Sequence, residues 1–329
     1  METEETKQPL MKRHGWLFAA ACGLLAILAL LGAVVTVEYE GGDVTQVHLW
    51  DYFATYRRFN WTMYITLGLF IVSIACALLH KIHPYFDMGA ALCFLIALPL
   101  LVLSKEFFLA NNLLDVDEVK IGWGTAIALV LCAVGIPFSI SSSLSKEALS
   151  VRALAEDGIL VAAAFVLNLI KLPIHTGGGS INFQMLPLFL IALRRGPVHG
   201  LICGGIIHGL ITCLTDGWGF AFYPFDYLIA FGSVMVLGFF RHLIFSKDQK
   251  GYNLKGELFL LLGGLLATLV RFVGGIAGSM IVVDVSFYDA LVYNAIYIPV
   301  SGIIAIAVIM AAYSPLAKLN ARFPVREGQ

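Results

Sequence analysis

The sequence predicts an all-α, polytopic membrane protein with about ten transmembrane helices. Composition is the first observation: 59% of the residues are hydrophobic and only 13% are charged, against roughly 45–50% and 25% in soluble domains. The second is distribution, because the apolar residues gather in runs near the length that an α-helix needs to cross hydrocarbon. The third is that these runs are continuous rather than alternating, so spans made of strands are not expected. A net charge of −1 argues against a nucleic-acid partner. All six cysteines fall within apolar runs and none forms a CxxC pair, which reads as small buried hydrophobes rather than disulfides or metal ligands.

Ten spans follow in order. The first is expected at about 15–37; Lys12 and Arg13 before it imitate a secretory signal, but no small-x-small cleavage site follows, so the segment reads as retained. A polar loop of some twenty residues leads to span two, about 61–79. Span three covers about 88–104, and an acidic loop, KEFFLANNLLDVDEVK, leads to span four at about 121–141. The segment SISSSLSKEALS then marks the domain boundary. This gives an N-terminal four-helix membrane block, 1–150, of unassigned role, and a six-helix domain, 151–329. In the second block, spans are expected at about 153–173, 183–193, 198–214, 225–244, 256–282 and 290–313.

Orientation follows from the cations, which favour the cytoplasmic side of short loops. With ten spans and the N-terminus inside, fifteen of the 21 Lys and Arg lie inside and five, Arg57, Arg58, Lys105, Lys120 and Lys171, lie at the outer end; Arg271 sits within span nine. Both termini are therefore expected in the cytoplasm, and the chain in the plasma membrane.

The stretch 185–240 organises the second block. It carries Arg194-Arg195, the small residues Gly200, Gly204, Gly205 and Gly209, and Asp226-Tyr227 among aromatics. A carboxylate near the end of a membrane span is a candidate functional group. Trp218, Phe220, Phe222, Tyr223, Phe225 and Tyr227 surround Asp226 in sequence; they form either an interfacial belt or a pocket that stacks a flat cation on aromatic faces while the acid pairs with it. Arg271 either pairs with Asp226 or Asp289 or snorkels. In span ten, Tyr293 and Tyr297 share a helical face at i, i+4, with Asn294 adjacent and Tyr288 a turn and a half earlier. An amide at bilayer depth needs a partner, so Asn294 is expected to face the interior. The loop Gly177-Gly178-Gly179-Ser180 reads as a flexible connector or a mobile lid. Gly158 and Ala162, small residues at i and i+4, permit close approach of another helix, either inside the bundle or on a second subunit.

Several chemistries find no support. His80-x-x-His83 has no third ligand nearby, so no metal is expected. No G-x-x-x-x-G-K-[ST], G-x-S-x-G or H-E-x-x-H occurs. No catalytic residues and no cofactor are assigned.

From Val151 onward the chain resembles the S components of energy-coupling factor (ECF) vitamin transporters, and most resembles the thiamine-specific ones. The matching words, in family order, are VRALAEDGILVAAAFVL, GGSINFQMLPLFLIALRRGPVHGL, FDYLIAF, RFVGGIAG and LVYNAIYIPVSGIIA. The resemblance implies a membrane-embedded binding subunit that captures thiamine, or a related cationic heteroaromatic, at the outer face. It implies transport energy from a coupling transmembrane subunit and two ATPase subunits. It places substrate at Asp226, Tyr227, Asn294 and Tyr293 or Tyr288, with Trp218, Tyr223, Arg271, Gly178 and Ser180 as further candidates, and the coupling subunit at Gly158 and Ala162. Two positions depart from the family: Gly274 or Gly275 stands where a His is frequent, and Met280-Ile281-Val282-Val283 where a Trp is frequent. Trp218 is the candidate replacement for that stacking partner. A self-sufficient secondary transporter, using the first block as its moving half, and a membrane sensor are the alternatives, although no inverted repeat relates the two blocks.

Overall fold

A computed structural model describes residues 10–39, 42–49, 57–82, 85–109, 116–141, 151–174, 179–245 and 252–323. It resolves into two compact units, Met1–Leu144 and Ser145–Gln329. Among the described residues, six helices are long and apolar enough to cross a membrane: Trp61–Leu78, Trp123–Ile140, Pro197–Asp216, Phe220–Phe239, Leu254–Val283 and Phe287–Ala311. Two shorter apolar helices are His14–Leu30 and Phe86–Val102. The chain is thus a polytopic helical membrane protein.

Among its described residues the first unit holds four long helices: α1 (Leu10–Leu30), α2 (Arg57–Leu78), α3 (Tyr85–Val102) and, after the short α4 (Ser104–Leu109), α5 (Trp123–Ile140). Small side chains let them approach. Ala26, Leu30, Phe70, Phe94, Ala128 and Cys132 share one buried cluster, and a Cβ at Gly135 would lie 2.8 Å from the Phe94 ring. Three strands correct the all-α expectation: β1 (Ala33–Tyr39) pairs antiparallel with β2 (Val44–His48) and β3 (Val116–Ile121), in the order β2-β1-β3. The first span therefore ends at Leu30, not near residue 37, and two segments read as loops contain strands. The cause lies in the run Val34-Val35-Thr36-Val37. Four β-branched residues are as apolar as a helix interior but favour the extended backbone, so hydropathy alone extends the span too far. Lys120 sits between Glu118 at 3.0 Å and Glu38 at 3.2 Å. Hydrogen bonds that its ammonium donates to those carboxylates, Glu118 first, hold it above the ordinary lysine pKa.

The second unit opens with α6 (Val151–Leu169), then a hairpin of β4 (Lys171–Pro173) and β5 (Ser180–Asn182), then α7 (Met185–Arg195). Next come α8 (Pro197–Asp216), α9 (Phe220–Phe239), a helical turn at Arg241–Ile244, α10 (Leu254–Val283) and α11 (Phe287–Ala311). A surface helix, α12 (Tyr313–Arg322), ends the described chain. The expected fifth and sixth spans are α6, with Arg152, Glu156 and Asp157 in its first turns, and α7, only 11 residues long. At the α7–α8 corner, Gly196 adopts φ 89, a conformation open to glycine at no steric cost. Glu156 bridges Arg194 and Arg195 there, and Asp157 bonds His199. The Arg pair is thus an internal clamp between α6 and this corner.

The run of small residues in α8 sets its distance from α9. A Cβ at Gly204 would lie 2.5 Å from the Phe231 carbonyl oxygen, and one at Gly205 would lie 2.9 Å from that of Leu228. Backbone rather than flexible side chain stands in the way, so a larger residue must separate the helices. Gly204→Val is expected to destabilise the protein by about 1–3 kcal/mol, read as a lower apparent melting temperature in detergent; an unchanged melting curve would contradict the close packing.

Candidate functional site

The second unit encloses a cavity of about 380 Å³, within the roughly 300–1,000 Å³ usual for small-molecule sites. Its walls come from several elements of the unit. Asn168 and Lys171 come from the end of α6 and β4, and Ser180, Asn182 and Gln184 from β5 and the approach to α7. Asp216 closes α8 and Trp218 lies in the α8–α9 connection, whereas Phe222, Asp226, Tyr227, Ala230 and Phe231 come from α9. Arg271, Gly275, Ser279 and Val283 recur every four residues along α10, and Tyr293, Tyr297 and Ile298 come from α11.

Local backbone explains how these residues meet. Gly217 and Gly219, with φ 74 and 97, form a sharp turn that carries Trp218 between them; Trp218 remains 53% exposed. Wide, π-type turns occupy Tyr223–Ile229 and Ser279–Val283. Such turns interrupt α-helical register and are common at functional sites; here one carries Asp226-Tyr227 and the other Ser279 and Val283. The hairpin covers this region from the side of α11: a Cβ at Gly179 would lie 2.9 Å from the Tyr297 ring and 3.2 Å from the Tyr293 hydroxyl. The Asn182 backbone N–H donates to Ser301 Oγ at 3.4 Å.

The polar groups fall into two sets. Asp216 is engaged: Lys171 Nζ lies 3.5 Å from Oδ1, and Tyr227 donates its hydroxyl to Oδ2 at 3.4 Å. Gln184 Oε1 lies 2.8 Å from His208 Nε2. Tyr297 donates to Asn294 Oδ1 at 3.0 Å. Asp226, by contrast, lines the cavity with no hydrogen bond or ion pair among the described residues. Arg271 is 5% exposed and lies over the Phe231 ring at 5.2 Å, while its Nε and Nη1 have no hydrogen-bond partner among the described residues. Burying a charge without a partner costs several kcal/mol. A cavity with a carboxylate that accepts no hydrogen bond among the described residues, a guanidinium and six aromatic side chains can hold a ligand that is itself polar, aromatic and charged.

Of the residues singled out by sequence, Asp226, Tyr227, Trp218, Arg271, Tyr293 and Ser180 line this cavity. Four do not. Asn294 is fully buried behind the wall, donating to Ser279 Oγ at 3.0 Å and to the Ala290 carbonyl at 2.8 Å while it orients Tyr297. Tyr223 is buried, donating to the Gly205 carbonyl and stacking on Phe220 at 5.0 Å. Tyr288 is 71% exposed. Gly178, with Gly177, lies outside the described residues, as does His83. No ion pair joins Arg271 to Asp226 or Asp289 among the described residues; Asp289 instead receives the Ser286 hydroxyl at 2.6 Å in the first turn of α11. Phe222, offered by sequence among the aromatics around Asp226, and Tyr297, placed on the Tyr293 face, also line the cavity, whereas Lys171, Asp216, Asn168, Asn182 and Gln184 were not singled out as site residues. The amides Asn168, Asn182 and Gln184, clustered in a chain with few polar residues, were the available signal.

Outside the cavity, Gly158 and Ala162 stand on an exposed face of α6 together with Ala155. A Cβ at Gly158 would meet nothing within 4 Å.

The family model for "Thiamine transporter protein (Thia_YuaJ)" matches residues 154–321. A curated relative, the thiamine transporter ThiT of Bacillus subtilis (strain 168), is 30% identical over 182 residues, covering 50% of this chain and 92% of that protein. No solved structure matches the chain. The family match lies within the second unit, and residues before 154 lie outside it.

Proposed function

The chain belongs to the thiamine transporter protein family, and from that premise we propose that its second unit is a binding subunit that captures thiamine at the outer face of the plasma membrane. Uptake is then driven by a coupling transmembrane subunit and two ATPase subunits, with both termini of this chain in the cytoplasm. The observation that carries the reading is the unpaired Asp226 carboxylate in an aromatic-lined cavity of about 380 Å³. Thiamine carries a permanently cationic thiazolium ring, an aminopyrimidine and a hydroxyl. A carboxylate suits its donors and positive charge, aromatic faces suit the flat rings, and the Arg271 N–H groups suit a ring nitrogen or hydroxyl as acceptor. Gly275 and Val283, on the α10 wall, leave aromatic stacking to Trp218, Phe222 and the tyrosines.

Trp218 also supplies the test. The other four tryptophans, Trp16, Trp50, Trp61 and Trp123, all belong to the first unit. Titrating the purified full chain with thiamine is expected to give saturable quenching at nanomolar to low-micromolar ligand. That quenching is expected to disappear in Trp218→Phe. No quenching together with no retention of radiolabelled thiamine, by a protein that melts cooperatively, would overturn the assignment of ligand.

A further inference from the structure

We propose that α12 is a docking element for anionic lipid headgroups, placed on the bilayer surface where the last span ends. The inference is independent of what the cavity binds. The spanning helix α11 stops at Ala311 and α12 begins at Tyr313, so the bilayer boundary lies next to it.

One face of α12 is fixed to the bundle. Tyr313 is 1% exposed, donates its hydroxyl to the Ile244 carbonyl at 2.8 Å and stacks on Phe245 at 6.0 Å. Its hydroxyl fills the space that a side chain at Gly256 would need. Ala317, one turn on, is 2% exposed. At 100° per residue, the opposite arc presents Pro315, Lys318, Leu319 and Arg322; all four are exposed, as is Phe323 just past the end of the helix. The Arg152 guanidinium lies 5.2 Å from the Phe323 ring, with that of Arg322 at 5.5 Å on the same ring. The helix contains no acidic residue.

An apolar pair beside a row of cations, at the depth where a span has just ended, matches an interfacial helix. The apolar pair enters the acyl boundary and the cations meet phosphate. Charge argues for lipid over a second copy of this chain, because two such arcs facing each other would bring like charges together. The cations also have no carboxylate on their own helix to neutralise them.

The test uses the purified full chain carrying Leu319→Trp, reconstituted in phosphatidylcholine vesicles, with the parent chain as background. Phosphatidylglycerol brominated near the headgroup is then titrated in. The added indole is expected to be quenched at a low fraction of the brominated lipid. Adding Lys318→Gln and Arg322→Gln, both at exposed positions, is expected to raise the half-quenching fraction about tenfold. Three results would overturn the proposal. Equal quenching by brominated phosphatidylcholine, insensitive to the two neutralisations, would mean apolar contact alone. Quenching by aqueous iodide but not by lipid would place the helix in water. Protection from both would mean that protein covers this face.

Discussion

Asp226→Asn is expected to weaken thiamine binding by more than tenfold while leaving the folded fraction unchanged. The substitution keeps the size and removes the charge. Asp226 accepts no hydrogen bond within the protein among the described residues, so the fold loses no partner when the carboxylate becomes an amide. A hydrogen bond to a charged group is worth about 1.5–3 kcal/mol, and each 1.4 kcal/mol is a factor of about ten in affinity. One such bond to the ligand therefore accounts for a loss of about ten- to hundredfold. The comparison with Asp216 sharpens the expectation. Asp216 lines the same cavity but is held by Lys171 at 3.5 Å and by the Tyr227 hydroxyl at 3.4 Å. If charge inside the cavity mattered only as a diffuse field, Asp216→Asn and Asp226→Asn would act alike. Isothermal titration of the two variants separates these cases, and unchanged affinity in Asp226→Asn removes that residue from the site.

How much of this could be read from the sequence differs between residues for physical reasons. Asp226 and Arg271 stand out because ionised groups are costly at membrane depth, so their presence in apolar runs already demands a purpose. Tyr293 follows from helical spacing, and Ser180 from the glycine-rich loop that reads as a connector or lid. Asn294 shows where that reasoning stops: an amide at depth must be satisfied, but a partner inside the wall satisfies it as well as a ligand does. Its bonds to Ser279 and Tyr297 make it a support, and the cavity position goes to Tyr297. Tyr223 fails similarly, because the aromatic stretch around Asp226 turns some rings inward to pack against α8. In the first unit, strand β1 was hidden by its own hydrophobicity. Val34, Val35 and Val37 are fully buried, so the strand reads as the continuation of a span until its β-branched run is weighed. Lys171 and Asp216 looked like ordinary loop charges because their pairing spans 45 residues of sequence, a distance over which no local pattern reports.

Gly158→Leu is expected to abolish uptake in cells while leaving thiamine affinity and melting temperature intact. The residue lies in α6 on the face that carries Ala155 and Ala162, all three exposed. Nothing stands within 4 Å of a Cβ there, so a leucine meets no atom of its own bundle, and helix propensity favours it over glycine by nearly 1 kcal/mol. Folding has no reason to suffer, and no cavity residue is touched. What changes is the depth to which another helix can approach, since small residues at this spacing let two backbones come close in a membrane and a leucine holds them apart. Loss of uptake with binding intact therefore locates the defect between this chain and a coupling subunit. Uptake at the parental rate would remove this face as a docking site, and if uptake also persisted without any ATPase subunit in the cell and collapsed with the proton gradient, the chain would be a transporter in its own right. Thiamine binding to the purified variant, uptake in whole cells and uptake in cells lacking the ATPase together separate these cases, because each one fails at a different step.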